Sequence, residues 1–180
     1  MYLQFYLIIY LLKNKSFLFN LLFLFLWQVS FAQQTILSDS NLPIMVISTD
    51  IDPDTNAPTD IPDEPKVLGS MQLIYRPDGS RNYLTDSTNE SFLNYKGRIG
   101  IELRGSSSQA LDKKPYGIDT LKDNRLDNDN VELLGMPKEN DWILNSFAFD
   151  DSMMRDYISY EMARKMGQYA ANLKYCEVVL

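Results

Sequence analysis

The sequence predicts an α+β domain, a mostly antiparallel sheet with one helix packed on it. Short β-branched or alternating runs recur at 42–49, 67–75, 95–104 and 115–120, parted by turn residues. A single later stretch, 154–166, repeats apolar residues every four positions. Strands first and a helix afterwards, with no internal repeat, is the order of an α+β layer arrangement.

Leu42 to Thr49 (LPIMVIST) is the first predicted strand. Asp50 to Pro65 holds four prolines and six carboxylates, and reads as an extended acidic loop in which proline prevents sheet pairing. Asp50, Asp52, Asp54 and Asn56 space oxygen ligands like the start of a calcium loop. The sixth position lacks glycine, however, and Ile61 stands where the twelfth-position glutamate belongs, so a solvated acidic loop is expected. Val67 to Tyr75 is the next strand, closed by the turn Arg76-Pro77-Asp78-Gly79. Tyr95 to Arg104 alternates, with Ile99, Ile101 and Leu103 on one face and Arg98, Glu102 and Arg104 on the other.

Pro115 to Thr120 is the fourth strand, followed by a polar connection from Asp119 to Asn130. Apolar residues return at Val131–Leu134 and Asp141–Phe147. Asp150 or Asp151 is the expected N-cap of the helix, and Gly167 its stop. Met154, Ile158, Met162 and Met166, with Tyr157 beside them, form a stripe expected to be the core face packed on the sheet. The chain ends in the strand-like run LKYCEVVL.

The net charge of −7 makes nucleic acid an unfavourable partner, because an acidic protein repels a phosphate backbone. With no histidine and one cysteine, Ser-His-Asp triads, Cys-His dyads and histidine metal sites are excluded. Cys176 has no partner for an internal disulfide, and its alternating strand favours a buried, inert thiol. The chemistry that remains uses carboxylates, lysines, or a metal held by oxygen.

Residues 1–32 carry Lys13 and Lys15, no acidic residue, and an apolar run from Phe17 ending in Ser30-Phe31-Ala32. That pattern is a signal peptide cleaved before Gln33, which places the mature chain outside the cell or on its surface, with no stable membrane insertion. The alternative is an uncleaved anchor. Asn20, Gln28 and Ser30 interrupt a run already shorter than the roughly 20 apolar residues a spanning helix needs. Residues 33–41 are then a polar lead and 42–180 the folded domain.

The most distinctive stretch is Tyr95 to Tyr116, YKGRIGIELRGSSSQALDKKPY. Backbone turning through Gly105-Ser106-Ser107-Ser108 leaves N–H groups free for an anion, and Lys113 and Lys114 follow closely. The plainer reading is a surface turn whose serines satisfy the backbone and whose lysines are solvated.

IGIELRGSSSQ at 99–109, KKPY at 113–116, LLGMPKENDWIL at 133–144 and MRDYISYEMARKMGQYA at 154–170 resemble the N-terminal part of the spore-coat-protein-H (CotH) kinase family. LPIMVIST at 42–49 and IPDEPKV at 61–67 are similar to its opening strand and the approach to its second. The resemblance implies an atypical protein-kinase-like N-terminal lobe. It also implies ATP and a divalent metal, Mg or Mn, as cofactors, and phosphoryl transfer to Ser or Thr of secreted or surface proteins. The catalytic and metal-binding aspartates of such a kinase are expected beyond Leu180, in a C-terminal lobe that this chain lacks, so the chain by itself is expected to be inactive.

Kinase lobes of this kind place a lysine on a strand against two phosphates and hold it with a carboxylate from the following helix. Lys114 shares the face of Tyr116 and Ile118, and is therefore the nucleotide candidate, with Lys113 solvated. Glu161, the only glutamate of the helix, is its candidate partner, the alternative being an i,i+4 pair with Lys165. Arg104, Ser106, Ser107 and Ser108 are the phosphate-loop candidates. Gln109-Ala110-Leu111 departs from the family, where an aromatic often follows the serines, and this loosens the packing expected beneath the loop. Arg155 is a further anion contact or, alternatively, a partner of Asp151 or Asp156. A surface adhesion or scaffold protein without catalysis, and a secreted glycan-binding module, are the competing readings. Trp142 counts against the latter, since it lies in an apolar run that reads as core.

Overall fold

The computed structural model describes residues 37–180. The expected signal peptide lies outside the described residues. In chain order the strands are β1 (Asp39–Ser40), β2 (Ile44–Thr49), β3 (Ile51–Asp52), β4 (Ala57–Pro58), β5 (Val67–Ile74), β6 (Asn82–Tyr83), β7 (Leu93–Leu103), β8 (Tyr116–Leu121), β9 (Asp141–Leu144) and β10 (Glu177–Val179). The one α-helix among the described residues, α1 (Arg155–Lys165), falls between β9 and β10.

Six strands form one sheet in the order β10-β2-β5-β7-β8-β9. Every pairing is antiparallel except β10 with β2. The predicted α+β class, mostly sheet with one helix, is therefore present. Register decides which residues meet: Ile47 lies opposite Met71, Gly69 opposite Ile99, and Ile101 opposite Ile118. With a side-chain period of two, this brings Met45, Ile47, Met71, Leu73, Ile99, Ile101 and Ile118 to one buried face. The loop after β8 closes over it with Leu133, and Val131, Met136, Ile61 and Cys176 pack at the margin.

The opposite face of the central strands is polar, as the alternation of Arg98 and Glu102 predicts. Gly100 and Gly117 leave room there, and a Cβ on Gly100 would meet the Lys66 stem at 3.5 Å. Lys66 Nζ reaches Asp119 Oδ1 at 2.7 Å and Glu102 Oε1 at 3.7 Å. Arg98 reaches Asp50 at 2.5 Å. At the far end of β5, Arg76 donates twice to Asp86, at 2.8 and 2.9 Å, and stacks over the Phe92 ring at 3.7 Å. Asn82 is buried there with both amide ends bonded, to Arg76 N and to Leu42 O, which is what burial of an amide requires.

Three expectations are corrected. The acidic loop does pair, as the small hairpin of β3 with β4. Proline is tolerated because the flanking Asn56 and Thr59 donate the bonds, to Asp52 O and Asp50 O, so the N–H that Pro58 lacks is not needed. The oxygens of Asp50 and Asp52 are used internally: Asp50 holds Arg98, and Asp52 accepts from Asp54 N.

The helix stripe is not core. No residue of α1 is buried, and Met162 and Met166 are 58% and 73% exposed. The sheet's apolar face is already closed by Leu133 and its neighbours. The helix is tied instead near its start, by Tyr175 OH to Met153 O at 2.5 Å and Asn145 Nδ2 to Asp156 Oδ2 at 2.7 Å. Its capping also differs from expectation. Met154 occupies the N-cap position with no side-chain bond, while Asp150 Oδ2, four residues earlier, accepts from Arg155 N at 2.9 Å. Gly167 stops the helix as predicted, with φ +76 and its N–H on Arg164 O.

No helix among the described residues is long and apolar enough to cross a membrane. The buried and exposed apolar sets separate experimentally. Ile101→Ala should cost about 2–4 kcal/mol in urea unfolding, whereas Met166→Ser should stay within about 0.5 kcal/mol. Comparable losses in both would return the stripe to the core.

Candidate functional site

The strongest site candidate begins where β7 ends. Leu103 N bonds Pro62 O at 2.6 Å and Arg104 N bonds Pro115 O at 3.0 Å, so the chain leaves the sheet at a fixed point. Gly105 then adopts φ +91, and a Cβ built there would lie 2.2 Å from Ser108 Oγ. A side chain there would need both a left-handed backbone and a shift of the Ser108 hydroxyl, so the position favours glycine. A short 3₁₀ turn, Ser107–Ala110, follows.

Gln109 organises this turn. Its side-chain amide donates to Gly105 O at 2.7 Å and to Asp63 Oδ1 at 2.5 Å, while its carbonyl accepts from Lys114 Nζ at 2.5 Å. Hydrogen bonds thus hold the loop at the place where Gln109-Ala110-Leu111 departs from the family's aromatic. The N–H groups of Ser106, Ser107 and Ser108 have no protein acceptor among the described residues.

The loop opens on a cavity of about 390 Å³. Ser107, Ser108 and Pro115 form one wall, and Asn145, Phe147, Phe149, Asp150, Arg155 and Asp156 the others. The far wall is the turn between β9 and α1. Within it Asp150 is buried and accepts from Ser152 Oγ at 2.6 Å, Ser152 N at 3.2 Å and Arg155 N at 2.9 Å. Arg155 Nε lies 3.4 Å from Asp150 Oδ1, so the arginine's partner is Asp150 rather than Asp151 or Asp156. Phe147 and Met153 both take positive φ, +52 and +53, a costly backbone for such side chains. The Ser152 hydroxyl, followed by the Arg155 and Ser152 amides, holds the Asp150 carboxyl below the usual carboxylate range.

The structure brings Ser107 and Ser108 together with Arg155. It does not bring Lys114 to Glu161. Lys114 reaches back to Gln109, and Glu161 accepts from Arg164, three residues on, at 2.5 Å instead of pairing with Lys165. Glu161 lines a separate cavity of about 320 Å³ with Tyr157, Arg164 and Tyr175. Lys113 is exposed and Lys114 half-buried, the inequality that alternation predicts. Arg104 is exposed, and its side chain makes no ion pair among the described residues. Cys176 is half-buried, and burial pushes its thiol up to about 11, which disfavours the thiolate. Trp142 packs on the core margin with its indole N–H on Glu139 O.

Sequence reasoning missed the 145–150 wall of the cavity. Asn145-Ser146 directly after an apolar run was the available signal, since polar residues closing a strand often line a site.

Ser107 and Ser108 of the glycine-dependent turn line the same cavity as Arg155, Asp150 and Asp156. No three acidic or thiol side chains converge on a metal position among the described residues. Gly105→Ala should therefore remove the loop geometry and lower the melting temperature more than Gly79→Ala. Gly79 has similar φ, +79, but open space around it. Equal losses would reduce Gly105 to backbone strain alone. Because the Asp150 pKa is lowered on folding, its contribution is full above the unfolded value near ~3.9 and is lost as pH falls through that value towards the folded one. Asp150→Asn should accordingly lower stability at pH 7 and flatten the acid limb of a stability-versus-pH curve; an unchanged limb would contradict this role.

Residues 101–180 match a family model described as CotH kinase protein, a span that includes the loop, the cavity and α1. No curated protein and no solved structure matches the chain.

Proposed function

Through residues 101–180 this chain belongs to the CotH kinase protein family, and on that premise we propose that it supplies the nucleotide-phosphate-binding part of an exported protein kinase. In this reading it is a kinase-like N-terminal lobe, acting with ATP and Mg or Mn on Ser or Thr of secreted or surface proteins. The observation that carries the reading is the turn at Gly105–Ser108, whose Ser107 and Ser108 line the same cavity as Arg155.

The roles divide by position. Ser106, Ser107 and Ser108 offer backbone and hydroxyl donors to phosphate oxygens. Lys114 fixes the loop through the Gln109 carbonyl and brings positive charge beneath it. Arg104 adds an exposed cation at the loop's start. Glu161 could hold Lys114 only after leaving Arg164. A bound metal would supply charge neutralisation at the phosphates.

A specific observation favours a second reading, a non-catalytic adhesion or scaffold protein that keeps the family fold: Lys114 and Glu161 are each bonded elsewhere. Titration of the purified full chain with ATP separates the two. Lys114→Ala should weaken ATP binding severalfold more than Lys113→Ala, with both variants still folded by thermal melting. Equal effects would leave only background charge, and no ATP binding by the unaltered chain would favour the scaffold.

A further inference from the structure

The turn between β9 and α1 has a feature that the lysine-centred reading does not use. Arg155 sits in the first turn of a helix, where a cation opposes the helix dipole. Its side chain is 77% exposed, so packing does not explain it. It is nevertheless directed: Asp150 takes its backbone N–H on one carboxylate oxygen and lies 3.4 Å from its Nε on the other. The Nη groups carry no protein bond among the described residues, and the residue lines the cavity opposite Ser107 and Ser108.

We propose that Asp150 is a positioning residue that aims Arg155 into this cavity, and that Arg155 contacts the phosphate of a phosphate-bearing ligand. The inference rests on the nucleotide reading above and adds the residue pair that makes the far wall. A phosphate between Arg155 and the serine turn would offset the unfavourable cation at the helix start and satisfy both sets of donors. The left-handed backbone at Phe147 and Met153 belongs to the same device. Asp150 N bonds Phe147 O, and Met153 N bonds Asp150 O, so the strained turn presents the buried carboxylate to Arg155.

Charge limits what the cavity will take. Asp156 also lines it, with one oxygen on Asn145, so two carboxylates face one guanidinium. Recognition is therefore directional more than Coulombic. A phosphate whose charge is reduced by a divalent cation suits the cavity better than a bare one.

The test is isothermal titration of the purified full chain with magnesium-ATP, adenosine and magnesium-pyrophosphate. Arg155→Ala should weaken ATP about tenfold and leave adenosine unchanged, with Arg155→Lys recovering part of the loss. Asp150→Asn should weaken ATP severalfold alone yet add nothing in the Arg155→Ala background, since it acts through the arginine. Equal losses of ATP and adenosine, full additivity in the double variant, or unchanged ATP affinity in folded Arg155→Ala would overturn the assignment. If the unaltered chain ignores ATP but binds pyrophosphate in an Arg155-dependent way, the nucleotide reading fails and this site stands. Binding of neither ligand defeats both.

Discussion

Ile99 and Ile101 on β7 and Ile118 on the neighbouring β8 are removed from water, and that one-sided burial is the constraint on which the rest of the domain is built. Apolar burial of this kind supplies about 1.5–3 kcal/mol for each such side chain, more than a typical hydrogen bond contributes net. It sets the register of β7 against both β5 and β8. A one-residue slip would turn the isoleucines outward and carry Arg98 and Glu102 into the core. Because the register is fixed, the point at which β7 releases the chain into the Gly105 turn is fixed as well.

The site at that point is held differently from the core. Gln109 and Lys114 tie the turn by three polar contacts, and Asp150 ties the opposite wall by four, each modest alone. Such networks specify geometry when every member is satisfied and fail together when one is removed. The left-handed residues Phe147 and Met153 persist only because this surrounding network over-determines them. Stability is thus concentrated in the sheet, and conformational specificity in the loops at its end.

The helix follows from the same economy of surface. Leu133, with Met136 and Ile61 at its margin, packs on the isoleucine face, and the methionines of α1 are not part of that cluster. The helix is anchored near its start by Asp150, Asn145 and Tyr175, and its stripe faces water. It contributes Arg155 and Asp156 to the cavity wall and buries no residue in the core.

The four strands expected near 42–49, 67–75, 95–104 and 115–120, the apolar face of Ile99 and Ile101, and the stop at Gly167 were legible in the sequence. Each depends on alternation or on backbone freedom within a few residues. The Gly105–Ser108 turn was legible for the same reason. The Asp150–Arg155 pairing, the Gln109 bonds, the partnering of Glu161 with Arg164 and the exposure of Met162 and Met166 were not. Periodicity records that a side chain is apolar and which face it shares, but not whether that face has been covered by something else. A carboxylate's partner is likewise set by which donor arrives nearest in space, and that was decided by the sheet register and the turn after β9.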